Sequence, residues 1–269
     1  NNVNFFLKRF FRIYPLYFIL ILFQVLFFIC FSSWEPLELF KYFISNLFFL
    51  NFLSPTVGDV FVGLEVNAIN GSLWTLKNEV FFYILIPVIF RLYSKFGLKF
   101  ICFLYVISVV YMFYFNHLSN EKMLVQFPAQ LRLFLSGIFV FVLFKEFDKI
   151  RINFSVVVCF ILILLFRDNS VFRFTVYPLT LSVFLVYIVY YIKPVVVKFD
   201  FSYSFYIVHF PLIQLFIYFN FNPSNPLVSL ALLFSITVFL SYLSEKYIEK
   251  RFVRLGRKII ANRNKKFDI

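Results

Sequence analysis

Two arginines with helical spacing stand just before the first long apolar run of this sequence. Arg9 and Arg12 are three residues apart, so in a helix they share one face. Two guanidinium forks on one face can hold a phosphate group through bidentate hydrogen bonds. The alternative is a basic anchor of the kind that ends many membrane spans. The spacing permits a phosphate clamp, but the pair taken alone favours the anchor.

A carboxylate interrupts the next apolar run. Thr75, Glu79 and Tyr83 recur every four residues and form one stripe of a helix whose N-cap would be Ser72. A charge inside a membrane costs about 2.5–3.5 kcal/mol on insertion scales, so Glu79 must be paired, protonated or in a wet cavity. We expect this motif near the outer leaflet and favour a catalytic role for Glu79 over structural pairing. Trp74 fits a substrate contact or an interfacial aromatic belt.

A histidine lies beside a proline in a late apolar run. Ser202, Tyr206 and His209 occupy positions i, i+4 and i+7, which share a helix face. Pro211 has no N–H for the carbonyl of Ile207, so we expect a kinked helix with an unfilled acceptor there. Imidazole and phenol groups can act in acid–base catalysis or donate to a developing oxyanion. The alternative is that His209 is only a hydrogen-bonded structural residue.

The other chemistry-bearing residues give weaker signals. Arg132 falls near the outer end of its apolar run, where it could snorkel towards the membrane surface. Cys30, Cys102 and Cys159 are isolated in apolar runs without metal-ligand spacing, and His117 lies in a polar stretch. We therefore predict no metal site.

These residues belong to a chain that is too apolar for a soluble fold. Of its 269 residues, 62% are hydrophobic and 14% are charged, with a mean hydropathy of +0.88, whereas soluble domains carry about 25% charged residues. The net charge of +13 is gathered in clusters between apolar runs, which argues against a nucleic-acid interface. The runs are apolar on all sides rather than alternating, so they predict helices and not a barrel.

Eight apolar runs are candidates for membrane-spanning helices. They cover residues 13–31, 74–90, 98–115, 129–144, 154–166, 174–192, 203–219 and 227–243. Residues 37–53 could also cross, but a crossing there would invert every later loop, so we interpret them as an interfacial or re-entrant helix on the outer side. The predicted fold is an all-α, polytopic transmembrane bundle, with residues 1–250 as one domain and 251–269 as a basic cytoplasmic tail.

Basic residues set the predicted orientation. All but six of the 26 Lys and Arg residues fall on the side that the positive-inside rule assigns to the cytoplasm, together with both chain ends. These residues are Lys8, Arg9, Arg12, Arg91, Lys95, Lys99, Lys145, Lys149, Arg151, Lys193, Lys198 and those from Lys246 to Lys266.

Taken in order, these motifs resemble the acyltransferase-3 family of polytopic membrane enzymes. The family's Arg-x-x-Arg and Ile-x-Pro-x-Tyr elements correspond to Arg9, Arg12, Ile13, Pro15 and Tyr17. Its Trp-Ser-Leu-x-x-Glu-x-x-Phe-Tyr-like signature corresponds to Trp74, Leu76, Glu79, Phe82 and Tyr83, with Thr75 in place of Ser. Looser matches follow at Arg132 and Gly137. The late element appears as Ser202, Tyr203, Tyr206, His209 and Pro211, and a closing Glu as Glu249.

The resemblance also reveals a difference. The family has two further helices before the arginine pair, and the first carries a histidine regarded as the catalytic base. We therefore expect this chain to be truncated at its N-terminus and to lack that base. Whether such a fragment is active is left open.

The resemblance implies a membrane-bound O-acyltransferase in the bacterial cytoplasmic membrane. It would move an acyl group, usually acetyl, from cytoplasmic acyl-CoA to a hydroxyl of a cell-surface polysaccharide or lipid-linked saccharide. Acyl-CoA is then a co-substrate rather than a bound cofactor, and the partners are lipid and glycan, not nucleic acid. The implied roles are donor binding by Arg9 and Arg12, catalysis by Glu79, Tyr206 and His209, and acceptor binding by Trp74, Tyr83 and Arg132.

The main alternative is a transporter or flippase for a lipid-linked saccharide, which would line its path with the same polar residues. The sequence contains no internal repeat and no matching pair of broken helices, which disfavours this class. A structural subunit of a glycan-assembly complex is a third possibility.

Overall fold

The computed structural model describes residues 2–144, 149–191, 199–221 and 225–267. Within those ranges all regular structure is helical, which confirms the all-α prediction. The helices are α1 Asn2–Phe31, α2 Pro36–Leu47, α3 Leu73–Phe96, α4 Leu98–His117, α5 Glu121–Leu124, α6 Phe127–Phe144, α7 Lys149–Phe166, α8 Ser170–Thr175, α9 Tyr177–Tyr191, α10 Ser202–Tyr218, α11 Pro226–Ser244 and α12 Lys250–Phe267, with a π-helical turn at Glu245–Glu249.

Within the described part of the chain, five helical segments are long and apolar enough to cross a membrane. They are Asn2–Phe31, Leu73–Phe96, Leu98–His117, Glu121–Phe144 and Pro226–Lys265, and each contains one of the predicted runs. Shorter apolar helices cover Phe154–Phe166 and Tyr177–Tyr191. On α4, the side chains of Phe103, Val106, Val110 and Tyr114 are each 58–60% exposed. An apolar face of this extent suits lipid rather than water, and the chain is an integral membrane protein.

The orientation prediction depends in part on residues outside these ranges. Lys145, Lys193 and Lys198, the end of the predicted run at 192, and the side chains of Lys149, Arg151 and Lys266 all lie outside the described part. Orientation therefore stays a prediction.

Residues 37–53, which we set apart from the spans, form one short helix followed by turns. This helix, α2, has 12 residues and a length of about 18 Å. The hydrocarbon core of a bilayer is about 30 Å thick, so α2 is too short to cross it.

The chain divides into two compact units. Unit 1 comprises Asn1–Lys77 and Val197–Ile269, and unit 2 comprises Asn78–Val196, so the division falls within α3. In unit 1, α1 packs against α2, α10 and α12, while α10 packs against α11. In unit 2, α6 packs against α4 and α9, with Leu135 fully buried in its core.

Two helices of unit 1 are longer than a bilayer requires. Helix α1 has 30 residues, about 45 Å, and the continuous helix Pro226–Lys265 has 40, about 60 Å. Their polar ends pack together. A Cβ at Gly256 would lie 2.8 Å from the ring of Phe11, so only glycine allows this approach. Asn4 donates to Asn264 at 2.9 Å further along the pair, and α12 is thereby held against the start of α1.

Candidate active site

Arg9 and Arg12, which were predicted to share a helix face, both line one cavity. The cavity has a volume of about 380 Å³ and is lined by Phe5, Lys8, Arg9, Phe11, Arg12, Val253, Gly256 and Arg257. The guanidinium carbon of Arg9 lies 5.6 Å from the ring centroid of Phe5. Cation and ring are thus within the range of a cation–π contact. The cavity is formed where α12 packs on α1, and it belongs entirely to unit 1.

An acidic partner holds Arg12 at this site. Its Nη2 donates to Oδ2 of Asp200 at 2.9 Å, and Ser202 donates to the other carboxylate oxygen at 2.7 Å. The hydrogen bond from Ser202, followed by that from Arg12, holds the pKa of Asp200 below its usual value. Ser202, which was predicted to share a helix face with His209, uses its hydroxyl to bind Asp200.

A second cavity, of about 440 Å³, also has Arg12 among its lining residues. Its lining residues are Arg12, Asp200, Glu245, Glu249, Lys250, Val253, Arg254 and Arg257. Glu245 and Glu249 are buried at either end of the π-helical turn, and Lys250 Nζ lies 2.8 Å from Glu245. Cations and carboxylates are mixed here, whereas the first cavity has cations without carboxylates among its lining residues.

The carbonyl oxygen of Ile207, which has no helical N–H partner because of Pro211, accepts a hydrogen bond from a side-chain amide. Asn70 Nδ2 donates to the oxygen of Ile207 at 2.9 Å, and Asn70 Oδ1 accepts from the hydroxyl of Ser72 at 2.6 Å. The carbonyl of Ile207 therefore lacks its helical donor, as the sequence predicted, and it obtains a donor from a residue outside the helix. Asn70 is 4% exposed, and it ties the residues before α3 to α10.

Tyr206 lies one position before this link. Its hydroxyl donates to the carbonyl of Ser72 at 2.8 Å and is in contact with the hydroxyl of Thr75. The start of α3 is thus level with the second turn of α10, near the end that carries Asp200. Where this level lies in the membrane depends on the predicted orientation, so the outer-leaflet position expected for this motif stays a prediction.

His209 is half-buried on α10. Its Nδ1 is 3.2 Å from the carbonyl oxygen of Phe205, and its ring centroid lies 5.9 Å from that of Tyr206. Because a carbonyl only accepts, this bond requires Nδ1 to carry the proton, which leaves Nε2 as the acceptor of a neutral imidazole. This bond supports a structural role for the Nδ1 atom of His209, while the Nε2 atom can still accept a proton or a hydrogen bond.

The carboxylate stripe is paired within α3. Tyr83 donates to Oε1 of Glu79, four residues earlier, and both belong to unit 2. Thr75, the third member of the predicted stripe, belongs to unit 1 and contacts Tyr206. Trp74 is 36% exposed and lines a separate unit 1 cavity of about 150 Å³ whose walls include Asn46, Asn51 and Asn70.

Arg132 is buried rather than snorkelling. Its side chain is 7% exposed, its Nε donates to the carbonyl of Phe174 at 3.2 Å, and its Nη1 donates to that of Ala129 at 3.2 Å. The backbone N–H of Arg132 donates to Ser108 at 3.0 Å. The snorkelling expectation is wrong because unit 2 offers the guanidinium carbonyl acceptors that the membrane surface would otherwise provide. A substrate role for Arg132 stays a prediction.

Comparison with known proteins decides the family. A family model described as an acyltransferase domain matches residues 2–246, which is most of the chain. The chain belongs to the acyltransferase-3 family. It is an enzyme of the O-acyltransferase type, so an acyl donor is implied and a transporter without catalysis is disfavoured. No curated protein and no solved structure shows a significant match.

Three features of this acyltransferase escaped the sequence analysis. Asn70 is one, and Lys77 is another: it is 2% exposed, with Nζ 4.4 Å from the ring centroid of Phe52. A lysine within an apolar run was the available signal for it. The third is Arg257, which joins the arginine pair from α12, beyond the end of the family match.

Proposed function

We propose that this acyltransferase moves an acetyl group from cytoplasmic acetyl-CoA to a hydroxyl of a cell-surface polysaccharide or lipid-linked saccharide. The observation that carries the proposal is the cation-lined cavity at Arg9 and Arg12. Phosphates are the ligands best matched to clustered guanidinium groups, and acyl-CoA is a phosphate-bearing acyl donor.

The proposed arrangement is multi-pass, in the bacterial cytoplasmic membrane, with eight crossings and both ends in the cytoplasm. Support comes from the basic clusters at the polar ends of α1 and α12, which pack together and so lie on one side. Helix α2 would lie at or re-enter the outer interface, since it is too short to cross. The cation-lined cavity would then open where cytoplasmic acyl-CoA arrives.

In the proposed reaction, the acceptor hydroxyl oxygen attacks the thioester carbonyl carbon and the carbon–sulfur bond breaks. CoA leaves as the thiolate, and the hydroxyl proton passes through a base to give the CoA thiol. Such a transfer needs a proton acceptor and a donor for the developing oxyanion. Asp200, which pairs with Arg12, lies two residues before α10 begins, and Tyr206 lies about 6 Å along α10 from its first residue, Ser202.

The residues have proposed roles that suit their surroundings. Tyr206, already engaged with Ser72 and Thr75, braces the site, and His209 offers Nε2 towards the reacting groups. Glu79, aligned by Tyr83, orients the acceptor or a base. The small cavity beside Trp74, with its amide-bearing walls, is the proposed position of an acceptor sugar ring.

The test is acetyl transfer from labelled acetyl-CoA to membrane glycan in cells that produce the protein. Arg9→Ala and Arg12→Ala should each lower transfer by about 10- to 100-fold at unchanged protein level, because each removes charge-assisted hydrogen bonds to the donor. Arg91→Ala is the matched control, since Arg91 is an exposed arginine at the end of α3. Undiminished transfer in both variants would rule out the clamp.

A further inference from the structure

Arg12 is shared between the two cavities described above. It lines the cation-lined cavity, and it also lines the second cavity, whose carboxylates are Asp200, Glu245 and Glu249. The Arg12 side chain is 45% exposed and that of its partner Asp200 is 61% exposed, so dissolved ions reach both groups. An anion that enters the first cavity must therefore compete with a carboxylate of the second cavity for the same guanidinium.

Residues other than Arg12 hold the Asp200 carboxylate in place. Ser202 donates to its Oδ1 at 2.7 Å, and the backbone N–H of Asp200 donates to Oε1 of Glu245 at 3.4 Å. The Nζ of Lys250 lies 2.8 Å from that same Glu245 oxygen. The position of the carboxylate is thus set by its own surroundings, and the Arg12 guanidinium can leave it without the acid losing every partner.

The ion pair uses only part of the guanidinium. Nη2 of Arg12 donates to Oδ2 of Asp200 at 2.9 Å, while Oδ1 accepts from Ser202, so the pair lacks the bidentate geometry of the strongest carboxylate contacts. A phosphate that presents two oxygens to Arg12 gains this geometry. A phosphomonoester or diphosphate also brings more negative charge than a carboxylate. Such a ligand displaces Asp200, whereas a singly charged anion gains little by doing so.

Phospholipid headgroups are the anions from which the proposed donor must be distinguished. In the proposed arrangement Arg12 lies at the cytoplasmic end of α1, where anionic headgroups are abundant. A headgroup phosphodiester carries a single negative charge, whereas CoA carries a diphosphate and a phosphomonoester, the latter alone with about 1.5 to 2 charges near pH 7. A carboxylate built into the site raises the charge that a ligand needs in order to bind Arg12, which favours the donor over the surrounding lipid.

We infer that Asp200 is a specificity-determining residue of the proposed donor site, because its carboxylate competes with phosphate for Arg12 and excludes singly charged lipid phosphates. This inference rests on the proposed function and gives Asp200 a part in selecting the ligand. Two other roles predict different results. A carboxylate that only oriented Arg12 would strengthen CoA binding, and one that only stabilised the fold would leave CoA binding unchanged. A competing carboxylate weakens CoA binding, so its removal should strengthen it.

The experiment titrates CoA calorimetrically into the full chain in phosphatidylcholine nanodiscs, and again in nanodiscs that contain phosphatidylglycerol. Asp200→Asn should bind CoA about three- to tenfold more tightly than wild type in phosphatidylcholine, because it removes a negative charge beside the phosphate site. In phosphatidylglycerol this variant should lose more affinity than wild type loses, because headgroup phosphates then occupy Arg12. Asp200→Glu keeps the charge and should stay closer to wild type in both bilayers.

Asp168→Asn is the matched control. Asp168 forms an exposed ion pair with Arg167 at 3.4 Å in unit 2, and it lines neither cavity. The same substitution there should leave the dissociation constant of CoA unchanged. Repulsion between CoA and an anionic bilayer acts on wild type and on every variant alike, so the comparison isolates the effect at Arg12. Misfolding does not tighten binding, so the expected result also excludes a loss of fold as its cause.

The outcomes separate this inference from the proposed function. If wild type binds CoA and Asp200→Asn binds it equally or more weakly, the inference is overturned and the donor site stands. If Asp200→Asn binds CoA more tightly but both proteins respond equally to phosphatidylglycerol, the carboxylate weakens all anions alike and the inferred specificity is wrong. If neither protein binds CoA, the proposed donor is wrong and the inference fails with it.

Discussion

Arg12 in unit 1 and Arg132 in unit 2 have opposite surroundings. The Arg12 side chain is 45% exposed, lines two cavities, and has Asp200 as its hydrogen-bond partner among the described residues. Arg132 is 7% exposed, and its side chain donates to two backbone carbonyls. The Arg12 guanidinium presents hydrogen-bond donors at a cavity, whereas the Arg132 guanidinium donates its hydrogen bonds to backbone carbonyls of unit 2.

The difference shows how to sort costly polar residues within a membrane protein. A buried cation whose partners are backbone carbonyls contributes to stability, and its replacement leaves acceptors without donors. A cation at a cavity, paired at one edge, can exchange or share its partner with a ligand. Position in an apolar run alone does not distinguish these two cases.

The largest effect should come from Arg132→Met, which keeps an unbranched apolar stem and removes every side-chain donor. The carbonyl of Phe174 then loses this donor and that of Ala129 keeps only the side-chain bond from Ser108 at 3.3 Å, so at about 1–3 kcal/mol for each acceptor we expect destabilisation of about 2–4 kcal/mol. The measurement is the unfolding midpoint in detergent, together with the amount of protein in membranes. Arg12→Met is the control and should stay within about 1 kcal/mol of wild type. Equal losses of stability in Arg132→Met and Arg12→Met would show that the two arginines contribute equally to the stability of the fold.

An intermediate effect is expected at Asn70, the residue of unit 1 that most resembles Arg132 in its surroundings. Asn70→Ala leaves the oxygen of Ile207 without a donor and should cost about 1–3 kcal/mol. Pro211→Ala restores the N–H that a helix directs at that same carbonyl. The double variant should therefore lose less stability than the two single changes added together, as measured by a double-mutant cycle of unfolding free energies. Strict additivity would show that Asn70 acts on something other than this acceptor.

Sequence spacing predicted the parts of the site that depend on one helix. The shared face of Arg9 and Arg12, the common stripe of Glu79 and Tyr83, and the acceptor left by Pro211 are all consequences of 3.6 residues per turn or of a missing N–H. That Tyr83 pairs with Glu79 was not predicted. These features are local, so they hold whichever helices pack together.

The partners of these residues could not be predicted in the same way. Asn70 meets Ile207 across 137 positions of sequence, and Arg12 meets Asp200 across 188. Which helix faces meet is decided by packing between distant segments. Arg257 reaches the arginine pair because Gly256 permits close approach to Phe11, and a glycine within a basic helix gives no sign of its partner.

The smallest effect on stability should follow from removing the ion pair between Arg12 and Asp200. Asp200→Asn keeps a hydrogen-bonding side chain but removes the charge, and because the Asp200 side chain is 61% exposed we expect a loss of less than about 1 kcal/mol at pH 7. The pKa of Asp200 is held below its usual value of 3.8 by Ser202 and Arg12. A lowered folded-state pKa adds stability above the unfolded pKa, and this stability is lost as pH falls through the folded pKa.

The difference in unfolding midpoint between wild type and Asp200→Asn should therefore be constant from pH 8 to about pH 5 and shrink below about pH 4. Lys99→Gln, which changes an exposed charge at the start of α4, serves as the control and should show no such acid limb. A difference that changed between pH 5 and pH 8 would mean that another group titrates with the pair. Arg12 would then be held by a wider charge network than its single ion pair with Asp200 indicates.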